Sequence, residues 1–241
     1  MSTFRRAAVL VLIVALAAVA VRLGIWQLDR LEERRARNAI ELAARALPAI
    51  DLDAVTPGDS QLVGRRITAT GAFLAGEQLR LRSRVHREAP GVHVVTPFRV
   101  AGSGALLWVL RGFAHAADGT NPIAIEPPEQ GVVTVRGVMA AFPVTGDGGR
   151  PVAMAGDTTW QRLDSAMAMA RLPGGYAGFL YLEGGESGPG RLAAVEPPTL
   201  DEGPHLSYAI QWFGIAVAIA AFAFIVLRRG ERSSVPPPAA P

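Results

Sequence analysis

Three side chains near the start of a hydrophobic segment have types and spacing that could bind an iron-containing ring. His205, Tyr208 and Trp212 follow one another at i, i+3 and i+7, so on a helix they share one face. Neutral imidazole is a common iron ligand, and aromatic side chains can line a porphyrin. The pattern therefore allows a haem ligand on a helix, with Tyr208 and Trp212 beside the ring.

The same side chains have a simpler interpretation at the edge of a membrane. Tyrosine and tryptophan concentrate at the level of the lipid headgroups, and histidine can satisfy the free amides of a helix start. Pro204, directly before the histidine, is typical of a first helical turn. The residue types alone leave both interpretations open.

A second polar cluster stands at the end of the first apolar segment. Trp26, Gln27 and Arg30 are close in sequence, and Arg22 precedes Trp26 by one helical turn. If the two apolar segments pair as helices, the clusters meet at one membrane face, where an arginine could pair with a haem propionate. The candidate cofactor-binding residues are therefore His205 (on the iron), Tyr208, Trp212, Trp26, Arg22 and Arg30.

Two segments are long and apolar enough to cross a bilayer, which takes ~20 residues. The first covers residues 7–28, and the second, residues 206–227, contains no charged residue. We expect a transmembrane helix in each. A cleaved signal peptide is the alternative for the first, because Ala18-Val19-Ala20 fits a cleavage site, but the apolar run continues to Leu28.

The charge pattern around the segments is nearly balanced between the two orientations. Arginines at both chain ends favour a cytoplasmic N- and C-terminus, whereas the arginines of residues 30–37 oppose it. A signal-like start before a long loop favours export of the middle. The predicted order is a cytoplasmic N-terminus 1–6, a span 7–28, an exported domain 29–205, a span 206–227 and a disordered cytoplasmic tail 228–241.

The middle of the chain predicts a helix followed by short strands. Residues 29–46 carry i,i+4 pairs of opposite charge and end before Pro48. A short helix over Asp164–Arg171 has Asp164 as a plausible N-cap. The fold class is α+β, with two transmembrane helices flanking an exported, mostly antiparallel β-rich domain. The β-branched runs predict strands at 65–73, 78–82, 92–100, 105–111, 131–141, 158–163 and 178–183.

The composition argues against several function classes. The 241 residues include no cysteine, which excludes thiolate metal sites and cysteine nucleophiles. A net charge of +3 gives no sign of nucleic acid binding. None of the four histidines is followed within four residues by another, so we expect no zinc site. There is no G-x-S-x-G, no G-x-G-x-x-G and no opposed pair of carboxylates, so we expect no enzyme.

Several motifs resemble those of a known family. "LGIWQLDR" (residues 23–30) and "HLSYAIQWF" (205–213) resemble the end motifs of the surfeit locus protein one family. In the middle, "GVHVVTPF" (91–98), "LRG" (110–112) and "WQRLDSAMA" (160–168) are similar as well. One departure is that Phe113-Ala114-His115 stands where the family usually has tryptophan, valine and proline.

The resemblance implies a bacterial assembly factor for a haem–copper oxidase of the cytochrome c type. It implies two spans, an exported middle, and haem a binding through the histidine that aligns with His205. The expected role is to assist haem a delivery into the large catalytic subunit. The expected partners are that subunit, haem a synthase and the lipid bilayer. The expected location is the plasma membrane, with the domain on its periplasmic or extracellular side.

Two other classes remain open. A membrane scaffold would dock on oxidase subunits without touching haem. An anchored envelope hydrolase would need a nucleophile and a base, and the sequence offers no convincing pair.

Overall fold

The computed structural model describes residues 3–55, 57–58, 60–121, 125–143, 159–184 and 191–232. The chain divides into two compact units. The first combines residues 1–40 with residues 200–241, and the second is formed by residues 41–199. Most of the predicted tail, residues 233–241, lies outside the described residues.

Two long helices make up the first unit. Helix α1 runs over Thr3–Ala46, so the span expected at 7–28 and the helix expected at 29–46 form one continuous helix. Its last residue is two positions before Pro48, as predicted. The last helix of the chain, His205–Arg232, begins at His205 itself and continues past the predicted end at Leu227.

Both helices are long and apolar enough to cross a membrane. The most apolar stretches of Ala7–Ala46 and His205–Arg228 have mean hydropathies of 2.7 and 2.4. Only 11% and 6% of those stretches are buried inside the protein, so most of their apolar side chains are exposed. Exposure of apolar side chains around a helix is compatible with a lipid surrounding.

Small residues line the contact between the two helices. Ala20 and Gly24 on α1 are buried, as are Ala209 and Ala216 on the last helix. A Cβ built on Gly24 would lie 2.7 Å from Cε1 of Phe213, closer than side chains pack. Small side chains let two helix backbones approach each other, as in membrane helix pairs. The helices run antiparallel, because residues 24 and 27 meet residues 213 and 205 in reverse order.

The second unit is built on a mixed sheet. Within the described residues its strands pair in the order β1-β2-β6-β8-β5-β4-β3-β7. Most predicted strands are present with shifted ends, but the run expected at 158–163 is shorter than predicted: β7 pairs with β3 only over two residues. The strands are β1 Ile50–Asp51, β2 Arg66–Phe73, β3 Leu79–His86, β4 Ala89–Val100, β5 Leu106–His115, β6 Val133–Ala141, β7 Thr159–Trp160 and β8 Gly178–Leu182.

An extra pairing closes part of the sheet on itself. Strand β2 pairs with β6 along most of its length and with β4 at its end, so five strands form a ring of pairings. Gly71 pairs with both Val133 and Val100, and a Cβ there would lie 1.9 Å from the carbonyl oxygen of Arg99. A glycine at that position therefore allows the strand to change partners. The pairings β1–β2, β3–β7 and β5–β8 are parallel and the other five are antiparallel, so the sheet is mixed.

Two hydrophobic clusters lie on opposite faces of strand β5. Leu107 and Val109 belong to a cluster with Ile67 and Phe98. Trp108 and Leu110 belong to a second, which includes Met167 of the short helix α2, Ser165–Arg171. Alternate residues of a strand point to opposite faces, so β5 is buried on both sides.

The predicted N-cap of α2 is confirmed. Asp164 precedes the helix with extended backbone angles, and its Oδ1 accepts a hydrogen bond of 2.9 Å from the backbone N–H of Met167. This satisfies one of the free amides of the first turn.

Candidate functional site

His205, the first residue of the last helix, which we call α3, is joined to α1 through its side chain. Its Nδ1 lies 2.9 Å from Oε1 of Gln27. An amide oxygen only accepts hydrogen bonds, so this bond requires the hydrogen on Nδ1. If the ring is neutral, the lone pair is then on Nε2, and neutral imidazole is the form that binds a metal.

The local backbone positions the ring of His205. The carbonyl oxygen of Pro204 accepts hydrogen bonds from the N–H of Tyr208, at 3.1 Å, and the hydroxyl of Ser207, at 2.8 Å. Gly203 has a φ of +68°, in the left-handed region that favours glycine. A Cβ at Gly203 would lie 3.5 Å from Nε2 of His205, so a side chain at this position would contact the edge of the ring that carries Nε2.

A polar clamp between α1 and residues 200–202 holds the segment before α3. Arg34 and Arg35 form ion pairs with Asp201, at 3.4 Å, and Glu202, at 2.8 Å. Asn38 donates to the carbonyl oxygens of Leu200 and Asp201. The hydrogen bonds from Arg35 lower the pKa of the Glu202 carboxyl. These bonds place the first turn of α3 beside a defined position along α1.

Tyr208 and Trp212 lie on the side of α3 that carries His205. Buried Ala209 and Ala216 share that side, as their spacing on a helix requires. Trp212 is half-buried, while Tyr208 is 46% exposed. The predicted aromatic neighbours of His205 are therefore on the contact face or at its edge.

The remaining predicted residues lie elsewhere around α1. Trp26 is exposed, and the guanidinium of Arg30 lies 5.7 Å from its ring centroid. Arg22 is exposed, about 170° around the helix from the stripe that holds Ala20, Gly24 and Gln27. The structure thus brings Gln27 to His205 and does not bring Arg22 there. A binding role for these three residues stays a prediction.

Gln27 is the residue that sequence reasoning left out of the predicted site. Gln27 is adjacent to Trp26 in the motif, but the prediction of binding residues on α1 rested on aromatic and cationic side chains. The stripe of residues 20, 24, 27 and 31, with alanine and glycine at its first two positions, was the available signal. That spacing identifies the contact face of α1, and Gln27 is its polar member.

The described residues around His205 do not supply the several ligands that a bare metal ion takes. Among the described residues, no group of three or more His, Asp or Glu side chains stands close enough to hold a metal ion. Structural and catalytic metal ions take three or four protein ligands, whereas haem iron needs one or two. His205 would supply one such ligand.

The fold and the site together define a class of protein: a β-rich domain carried in the chain between two paired apolar helices, with a histidine at the start of the second. A model of the SURF1 family matches residues 14–217, so the chain belongs to the SURF1 family. This confirms the resemblance to the surfeit locus protein one family. Members of the family are generally known as cytochrome oxidase assembly factors.

Several relatives match the chain over most of its length. A SURF1-like protein of Mycobacterium tuberculosis is 31% identical, over 91% of this chain and 84% of its own. SURF1-like proteins of Monosiga brevicollis and Rickettsia prowazekii are 26% and 25% identical, and 91% of each is covered. The similarity therefore includes the apolar helices and the sheet.

Proposed function

We propose that the protein assists the assembly of a haem–copper oxidase of the cytochrome c type by holding haem a before it enters the large catalytic subunit. The observation that carries the proposal is the hydrogen bond between Gln27 and Nδ1 of His205. It leaves Nε2 of the neutral ring available for iron, and Gly203 places no side chain at that edge.

The residues around His205 have distinct roles in this proposal. His205 would hold the iron, and Gln27 would set the tautomer and orientation of its ring. Tyr208 and Trp212 would supply aromatic contacts to the apolar ring from α3. Trp26 and Arg30 would supply an aromatic and a cationic contact from α1, with the arginine available to pair with a propionate. Arg22, on the far side of α1, is the weakest of the predicted contacts. The chain itself breaks no bond.

The proposed location is the bacterial plasma membrane. The low burial of the two apolar helices supports their insertion into a membrane. Two spans would place the second unit, residues 41–199, which we call the sheet unit, on one side of the membrane and both chain ends on the other. We place the sheet unit on the periplasmic or extracellular side. His205 and Gln27 then lie among the lipid headgroups, at the periplasmic or extracellular face of the plasma membrane.

The proposed partners follow from the chemistry of the cargo. In this proposal the protein takes haem a from haem a synthase and passes it to the large oxidase subunit, so both are partners.

A scaffold that never touches haem is the second candidate. The exposure of Trp26 and Tyr208 supports it, because aromatic side chains at this level also anchor membrane helices without a ligand. In this alternative the helices hold the sheet unit at the membrane, and the sheet unit binds oxidase subunits.

A complementation experiment separates the two candidates. The gene is deleted in its own host, and the oxidase is purified after expression of the parent protein, His205→Ala or Gln211→Ala. The haem carrier predicts that His205→Ala leaves the large subunit deficient in haem a, while the other two restore it. A His205→Ala protein present at the parent level that restores haem a fully would favour the scaffold.

A further inference from the structure

The sheet unit contains a cavity that the proposed function does not use. It has a volume of about 270 Å³ and lies on the face of the sheet that carries the second hydrophobic cluster, with Leu81 and Val95 in its lining. Apolar side chains from three elements line it, among them Leu110 of β5, Leu163 before α2 and Phe179 of β8. Polar groups reach it from Arg84, His93 and Tyr181. We call it the Arg84 pocket.

A β-bulge directs Arg84 into this pocket. In a regular strand, residues 81 and 84 would point to opposite faces. The pairing of β3 with β4 shifts between Leu81 and Arg84, and Ser83 has a φ of +58°. Both Leu81 and Arg84 consequently line the same cavity. Bulges of this kind re-aim side chains and recur next to binding sites.

Among the described residues, the positive charge of Arg84 at the pocket has no carboxylate partner. Its Nη2 donates to the carbonyl oxygen of Gln161, at 2.5 Å. Within the part of the chain that the structure describes, no carboxylate lies within ion-pair distance of Arg84, and burial lowers the pKa of its guanidinium. By contrast, Arg162, at the same pocket, has Asp164 at 3.8 Å. A half-buried cation is stabilised by an anion that replaces its lost hydration.

The other polar groups at the pocket can donate hydrogen bonds. Burial lowers the pKa of His93 to about 4, with smaller contributions from Arg84 and His86, so its ring is neutral at pH 7. Burial also raises the pKa of the Tyr181 hydroxyl, which keeps it protonated. For a carboxylate bound to Arg84, these two side chains therefore offer hydrogen-bond donors and carry no negative charge.

We propose that the Arg84 pocket binds a small organic anion, made of an apolar body and one carboxylate that pairs with Arg84. Liquid water takes about 30 Å³ per molecule, so the cavity holds about nine groups of that size. Mostly apolar pockets with a few convergent polar groups are typical small-molecule sites. The pocket is too small for haem and shares no lining residue with the His205 site.

The test uses 4-fluorobenzoate and 4-fluorobenzamide, which have the same size and differ in charge. The full chain is inserted into lipid nanodiscs, and ¹⁹F line broadening is measured against empty nanodiscs. We expect saturable binding of the benzoate and at least about tenfold weaker binding of the benzamide, since a charge-assisted pair is lost. Equal binding of the two probes, or no benzoate binding at about 10 mM, would overturn the proposal.

A matched pair of variants tests the assigned residue. Arg84→Gln should weaken benzoate binding about tenfold or more. Arg82→Gln, on the same strand and outside the pocket lining, should bind like the parent. Benzoate binding that Arg84→Gln leaves unchanged would contradict the assignment. The comparison of the two probes on the parent protein decides the matter even if Arg84→Gln does not fold.

Discussion

The amide oxygen of Gln27 lies 2.9 Å from Nδ1 of His205, 178 residues later in the chain. The bond joins the two apolar helices at one level and determines which imidazole nitrogen is free. The first prediction follows from it. In Gln27→Ala, Nδ1 of His205 loses its hydrogen-bond partner. Haem should therefore transfer to an excess of an acceptor globin about ten- to a hundredfold faster than it does from the parent protein.

Gln27→Glu is the matched variant for this prediction. A carboxylate also accepts the hydrogen of Nδ1, so the variant should keep haem and the spectrum of an imidazole-ligated iron. If Gln27→Glu loses haem as fast as Gln27→Ala, the bond does not act through the tautomer.

The second prediction concerns the packing of Gly24 against Phe213. A leucine at position 24 cannot fit beside that ring, where even a Cβ would be 2.7 Å away. Gly24→Leu should force the helices apart, destabilise their pairing by about 1–3 kcal/mol, and reduce bound haem. The measurements are thermal unfolding and haem content. Adding Phe213→Ala should recover much of both. A double variant as impaired as Gly24→Leu would show that the contact is not what separates the helices.

The third prediction is a loss of stability in acid from His93. Its pKa is about 4 in the folded protein and 6.5 in the unfolded chain. Between these pH values the unfolded chain binds the proton while the folded protein does not, so the free energy of unfolding falls as the pH drops from 6.5 to 4. His93 alone should lower it by about 3 kcal/mol over that range.

Thermal unfolding of the full chain at pH 7 and pH 5 measures this effect. His93→Gln, which cannot titrate, should lose less stability between the two pH values than the parent. An equal loss in the parent and in His93→Gln would remove His93 from the account.

Much of the fold could be predicted because its signals are local. The β-branched runs and turn residues placed most strands within a few residues, and Asp164 was recognisable as an N-cap from its type and position. The ring of five strands was not predictable. It depends on β2 pairing with β4 as well as β6 at Gly71, and pairing partners leave no periodic signal in one sequence.

The residues of α3 in the candidate site could be predicted from the sequence, but their partner on α1 could not. His205, Tyr208 and Trp212 share a helix face by spacing alone. Which side of α1 faces them depends on packing, and the structure places Gln27 there while Arg22 points away. The Arg84 pocket gave no sequence signal, because its bulge changes the alternation that sequence reasoning relies on.

The fourth prediction concerns topology. With both chain ends in the cytoplasm, alkaline phosphatase fused after Gly119 should be active, since the enzyme folds in an oxidising compartment. A fusion at the C-terminus should be inactive. The reverse pattern would place the sheet unit in the cytoplasm and move the His205 site to the inner face.

The visible spectrum of the purified protein shows whether His205 binds haem a. The parent, His205→Ala and Gln211→Ala are purified from cells that make haem a. Gln211 lies about 120° around α3 from His205, so its loss leaves the ligand in place. We expect bound haem a in the parent and in Gln211→Ala, and little or none in a folded, membrane-inserted His205→Ala. A His205→Ala protein that carries as much haem a as the parent would contradict this role of His205.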